Sequence, residues 1–442
     1  MVKDLMLSLG YTEEDMELII GSYELRKYTC ETVALKIKDI YNFLLLEQGH
    51  SQEDIIKMTK DAPEIYGLNI DNMKQKIVDM EKMGYSQESI IKMTKDAPQI
   101  YGLSIDNIKQ KLSDMKKMGY SKEDIIKITK DVPQIYTYSI ENMQQKITDM
   151  EEMGYSRKVA IMMTRLNAKL YTYSIDSMRQ KITDMEKLGY SRENLMKMTK
   201  SFPALYGYSI ENMQQKITDM EEMGYRKEDI IKMTKTSPNI YGYSIENMQQ
   251  KITDMEEIGY SRKATMRMTK SQPSIFGYSI ESMKQKAKDI ETLGYSTEDV
   301  IDMTSIAPSI YGLSIETIKD KFENLQTLGY DREEVIEISK DFPGVYGLSL
   351  QAMRQKIEFY DSINMHALVI REPKYLMQSV DLSYARYEFL KSKGIMVDMS
   401  NYNKLFWNEK QFKRVYKVTK QEILERYSYE KHMEEIKNGD IR

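Results

Sequence analysis

Gly189-Tyr-Ser-Arg-Glu-Asn-Leu-Met-Lys-Met-Thr-Lys-Ser-Phe-Pro203-Ala-Leu-Tyr-Gly-Tyr-Ser-Ile-Glu-Asn-Met-Gln-Gln-Lys-Ile-Thr-Asp-Met-Glu-Glu-Met223 is one turn of a pattern that runs through most of the chain. Ser191 precedes Arg-Glu-Asn, and Ser51 precedes Gln52-Glu53-Asp54, so the first helix of such a unit opens on a Ser N-cap with acids in its first turn. That helix must end before Pro203, because the residue preceding a proline is pushed out of α geometry. Ala204 to Tyr208 read as a short apolar connector, and Ser209 caps a second helix. Ile210, Met213, Ile217, Met220 and Met223 form one apolar stripe at helical period, and Gly224 ends the helix as a residue able to take φ > 0.

The pattern repeats every 35 residues. Gly49, Gly84, Gly119, Gly154, Gly189, Gly224, Gly259, Gly294 and Gly329 keep that step, and so do the prolines from Pro63 to Pro343, with Ala168 replacing one of them. A fixed period of this size means a stacked array whose end units are atypical. The expected organisation is a degenerate N-terminal capping repeat over 1–48, nine regular repeats over 49–364, a shortened repeat over 365–394 and a helical cap over 395–442. The fold class is all-α: an α-solenoid superhelix of about eleven helix-turn-helix repeats. The recurring Met and Ile are core, and the connector Tyr (Tyr66, Tyr101, Tyr136 and equivalents, with Phe276 once) wedges between units.

Composition narrows the function. The chain of 442 residues has a net charge of -4, one cysteine (Cys30) and three histidines. A single cysteine excludes an intramolecular disulfide framework. No apolar run approaches the roughly 18 residues that span a bilayer, and the N-terminus has no secretory apolar core, so an intracellular, by default cytoplasmic, protein is expected. His50, His366 and His432 are scattered, with no metal-ligand spacing and no phosphate-cradling loop. A non-enzyme without cofactor or metal is expected, and a monomer.

Against the uniform scaffold, the residues around each Pro vary. The pair before it reads Asp61-Ala62, Asp96-Ala97, Asp131-Val132, Leu166-Asn167, Ser201-Phe202, Thr236-Ser237, Ser271-Gln272, Ile306-Ala307 and Asp341-Phe342. Such evenly spaced variation fits either a surface that reads something different at each step or drift at a tolerant loop. Two cation rows lie nearby. Lys60, Lys95, Lys130, Arg165, Lys200, Lys235, Lys270 and Lys340 precede the variable pair, with Ser305 as the one break. Lys76, Lys111, Lys146, Lys181, Lys216, Lys251, Lys286, Lys321 and Lys356 recur in the second helix of all nine units. Rows of this kind can track a phosphate backbone or form an ordinary solvated face, where Glu53 and Lys57 would pair at i,i+4.

The unit Gly-Tyr-Ser-x-Glu-Asp-Ile-Ile, then Pro-x-Ile-Tyr-Gly-x-Ser-Ile-Glu-Asn and Lys-Ile, followed from Gly84 (with Ser89, Asp106 and Leu112 for Asp, Glu and Ile) and from Gly224 (with Arg226 for Ser), resembles the mitochondrial transcription termination factor (mTERF) repeat. The ending resembles that family too, with Leu-Lys-Ser-Lys-Gly394 and a Phe/Lys-rich helix from Lys410 to Tyr427. The resemblance covers about 10–427 and implies paired helices with a 3₁₀ turn, binding DNA or RNA along a positive groove. More loosely, the chain is similar to transcription-activator-like effector repeats, which carry two variable residues after a short first helix. That likeness implies one base per unit read by the pre-Pro pair, although Pro stands here where that family has glycine. The expected function is nucleic-acid binding in gene expression, DNA favoured over RNA. The alternative is a peptide- or protein-binding scaffold.

Overall fold

The computed structural model describes residues 1–22 and 25–438, with side chains to 435; residues 23–24 of the expected first segment and 439–442 at the end of the last lie outside the described residues. Every regular element among the described residues is helical. The protein is an all-α solenoid that divides into two compact halves, Met1–Gln215 and Lys216–Arg442. Both are built from the same unit.

In the first regular unit, Gln52–Asp61 is followed by the 3₁₀ turn Pro63–Gly67 and the helix Ile70–Met83. Ser51 accepts a hydrogen bond from the Asp54 amide, and Asn69 from the Asn72 amide, satisfying donors that a helix start leaves free. Ala62, at φ -143° and ψ 75°, has left the α region as a pre-proline residue tends to, and Pro63 takes the first place of the turn. Burial follows the expected stripe, with Met213, Met220 and Met223 inside, and Ile210 half-buried. Where Ala168 replaces Pro, the turn shortens to Ala168–Tyr171.

Neighbouring units are stitched by hydroxyl networks. Tyr85 Oη bonds both Thr129 Oγ1 at 2.7 Å and Tyr136 Oη at 2.6 Å, and Thr129 donates in turn to the Ile125 carbonyl. Tyr155, Thr199 and Tyr206 repeat this in the first half, and Tyr295, Ser339 and Tyr346 in the second. Buried hydroxyls cost stability unless paired, so the connector Tyr is a scaffold residue held in one register. At Phe276 the third hydroxyl is missing, and Tyr225 keeps only Thr269.

The shortened unit, Ala367–Arg371, Pro373–Met377 and Val380–Ser392, is closed by Tyr402–Phe406, Glu409–Tyr416, Lys420–Arg426 and Tyr429–Asn438. Aromatic rings hold this end together: Phe359 meets Tyr384, Tyr387 and Tyr429 edge-on, and Phe406 stacks on Tyr375 with centroids 3.7 Å apart. Buried Arg386 donates to the carbonyls of Leu405 and Trp407.

The glycine that ends each second helix gives a clean stability test. Gly189 and Gly259 both have positive φ (108° and 121°), but a Cβ at Gly259 would lie 2.9 Å from Ile301 Cδ1, while Gly189 has nothing within 4 Å. Gly189→Ala should cost about 1–2 kcal/mol from the backbone alone. Gly259→Ala should cost measurably more in urea denaturation, and equal losses would show that Ile301 moves aside freely.

Candidate nucleic-acid interface

The structure gives the second-helix lysines a different task from the one expected. Lys76 Nζ donates to the carbonyls of Ile100 at 3.1 Å, Tyr101 at 2.6 Å, and Leu103. Lys111, Lys146 and Lys181 reach the carbonyls of Tyr138, Tyr173 and Tyr208. In the second half Lys216, Lys251, Lys286, Lys321 and Lys356 reach those of Tyr243, Tyr278, Leu313, Tyr346 and Leu376. Each ammonium therefore caps the 3₁₀ turn of the following unit, where the carbonyls have no helical donor. All nine are buried or half-buried, and burial pushes the Lys76 ammonium down to about 8. This row is inter-unit scaffold. It is not a free cation track.

The row before each Pro is more exposed but largely paired. Lys95 meets Asp54 at 2.6 Å, Arg165 meets Asp124 at 3.7 Å, Lys270 meets Asp229 at 3.7 Å and Lys340 meets Asp299 at 2.5 Å. Lys60 joins Asp15 of the capping unit at 2.7 Å. The acid is always the third residue of the preceding unit's first helix, and the Lys95 hydrogen bond holds the Asp54 carboxyl below its usual range. Ser305, the break in the row, follows a unit with Ala264 at that place, so both partners are lost together. Lys130 and Lys200 follow Ser89 and Val159 and form no ion pair among the described residues, nor does Lys235.

The variable pair divides by direction. Its first member is exposed in all nine units: Asp61, Asp96, Asp131, Leu166, Ser201, Thr236, Ser271, Ile306 and Asp341. Its second member turns inward. Ala62, Ala97 and Val132 are buried, while Asn167, Phe202, Ser237, Gln272, Ala307 and Phe342 are half-buried. A two-residue reading head is thus reduced to one outward residue per unit. The residue after the Pro is partly occupied as well, since Gln99 and Gln134 donate to the carbonyls of Asp61 and Asp96.

A third cation row, not singled out from the sequence, lies on the open surface. Lys57, Lys92, Lys127, Lys197, Lys232 and Arg267 stand one helical turn before the outward variable residue and are exposed. The expected Glu53–Lys57 pair does not form among the described residues, and Lys92 and Lys127 also have no ion pair there. In the first half, a groove of about 430 Å³ collects Lys57, Asp61, Lys95, Asp96, Gln134 and Lys169. Its signal in the sequence was the same 35-residue step, four residues upstream of the variable position. No cluster of His, Cys, Asp or Glu fit for a metal ion occurs among the described residues, and no helix among them is long and apolar enough to cross a membrane.

These features define a helical-repeat protein with, in each half, a stitched scaffold and an open, variable, cation-bearing edge. The mTERF family model matches residues 76–183, 172–254 and 220–413, which together span most of the chain, and the chain belongs to that family. No curated protein gives a match to the sequence.

Proposed function

We propose that the protein binds nucleic acid, DNA favoured over RNA, along the edge formed by the C-terminal ends of the first helices, and acts in gene expression without catalysing a reaction. Family membership supports nucleic-acid binding as the general role. The observation that carries the reading is the exposed Lys57, Lys92 and Lys127 row beside one outward variable residue per unit. Each lysine that neutralises a phosphate releases a counterion, so affinity must fall steeply with salt. Outward Asp61, Asp96 and Asp131 oppose phosphate in the first units, which makes the Lys57 row necessary there.

The test is fluorescence anisotropy over a salt series. Changing Lys57, Lys92 and Lys127 to Gln together should lower the slope of log affinity against log salt by about one for each lysine. Lys82→Gln with Lys117→Gln, at exposed second-helix ends, should leave it unchanged. Equal effects from both sets would refute the edge. The scaffold reading, a protein partner, rests on exposed Leu166 (47 %) and Ile306 (62 %) at the variable position. Wild-type protein that binds no nucleic acid even at low salt would favour it.

A further inference from the structure

The residue following the 3₁₀ turn separates the central units from those on either side. It is Tyr138, Tyr173, Tyr208, Tyr243 and Tyr278 in five successive units, but Leu68, Leu103, Leu313 and Leu348 in the others. The outward variable residue changes almost in step. Asp61, Asp96, Asp131 and Asp341 occupy outer units or the first Tyr-bearing one, whereas Leu166, Ser201, Thr236 and Ser271 accompany Tyr173, Tyr208, Tyr243 and Tyr278. Four of the five Tyr-bearing units thus lack the carboxylate, as does the Leu313 unit with Ile306, while Arg165, Lys200, Lys235 and Lys270 stay.

Each half shows how these rings are held. In the first, Tyr173 lies over the next turn, its hydroxyl 2.5 Å from where a Cβ on Gly207 would be. Tyr208 stacks on the variable Phe202, with centroids 6.1 Å apart and planes 20° from parallel. In the second, the Tyr243 hydroxyl accepts from Nδ2 of the variable Asn239 at 2.7 Å and sits over Gly277 in the same manner. Tyr278 leans on Gly312. All five rings are half-buried, with one part left to solvent.

The fold does not demand these rings, since Leu serves at the same place in four sibling units. A half-buried Tyr instead offers a flat, stiff apolar face with little side-chain freedom to lose. Aromatic faces set beside cations are what unpaired bases bind, by stacking on the ring while phosphates meet the charge. A duplex cannot use them: its bases are stacked 3.4 Å apart, and packed helical units repeat at roughly 8–10 Å. An unstacked strand can present one base to each ring.

We infer that the Tyr-bearing units bind single-stranded nucleic acid, with Tyr173 and Tyr208 in the first half and Tyr243 and Tyr278 in the second stacking on unpaired bases. The inference rests on the nucleic-acid reading above and adds the strandedness of the ligand. Leucine is the appropriate substitution because sibling units already fold with it. Labelled single-stranded DNA, single-stranded RNA and duplex DNA of equal length would be titrated against wild type, Tyr173→Leu/Tyr208→Leu and Tyr243→Leu/Tyr278→Leu, with circular dichroism melts confirming the fold. The expected result is at least tenfold weaker binding of a single strand by either double variant, with duplex affinity changed less than twofold. Unchanged single-strand affinity, or an equal loss on duplex, would overturn the stacking role while leaving the nucleic-acid reading intact. Absence of any binding by wild type would overturn both.

Discussion

Lys146→Glu combined with Lys181→Glu should unfold much of the first half, with any loss of binding a secondary consequence. Both ammonium groups donate to turn carbonyls of the next unit, those of Tyr173 and Tyr208, and both are half-buried. Each orphaned carbonyl costs roughly 1–3 kcal/mol, and a carboxylate placed against carbonyl oxygens adds repulsion to that loss. A domain's whole stability is about 5–15 kcal/mol, so two such sites remove a large share of it. Lys146→Met with Lys181→Met keeps the aliphatic stems and removes only the donors, and should show a smaller but clear drop. Urea denaturation followed by circular dichroism measures both. Glutamate variants as stable as wild type would return these lysines to the surface and refute the capping role.

His50→Tyr should stabilise the protein. Every later regular unit has Gly-Tyr where the first has Gly49-His50, and the imidazole breaks the hydroxyl network found elsewhere. Both ring nitrogens of His50 and the hydroxyl of Tyr101 are buried with no hydrogen-bond partner among the described residues. A tyrosine would supply the hydroxyl that Tyr85 gives to Thr129 and Tyr136. Two restored bonds at about 1 kcal/mol each predict a gain near 2 kcal/mol. The variant should also be less sensitive to acid. Burial, with Lys95 adding to it and Asp54 opposing, holds the folded His50 below its ordinary 6.5. Below that pH the unfolded chain takes up a proton that the folded one refuses, so stability falls as pH drops through 6.5 toward the folded value. His50→Tyr should flatten this stretch of the stability–pH curve. A curve parallel to wild type, with no gain in midpoint, would show that the site relaxes without cost.

The fold was legible because its signals are local. Ser51 caps where a Ser should, Pro63 opens the turn, and Gly84 takes the left-handed conformation, φ 106°. The lysines were harder. A lysine seven residues into an amphipathic helix looks solvated unless its acceptors are visible, and here they are carbonyls 20 to 27 residues further on. The useful clue was invariance: Lys76 and its equivalents never change, whereas even the scaffold position of Tyr66 changes once, to Phe276. Lys60 and its equivalents carried a clue as well, in the paired loss of Ala264 and Ser305 against the Asp299–Lys340 bridge. The inward turn of Ala62 and Ala97 depends on how the pre-Pro backbone is rotated against the neighbouring unit. One unit read alone does not fix that rotation.

The second-helix lysine and unit-opening tyrosine bonds in each half share a polarity. Lys76 reaches forward to Tyr101, and Tyr85 to Thr129 and Tyr136, from an earlier unit to the next one along the chain. A ribosome releases the chain in that same order. Each newly emerged turn therefore meets donors already displayed by its predecessor, and the incomplete surface is only ever the growing end. Stability in such arrays is a sum over nearest neighbours, so the molecule can be laid down vectorially, course upon course, with the aromatic C-terminal cap arriving last to seal the final course.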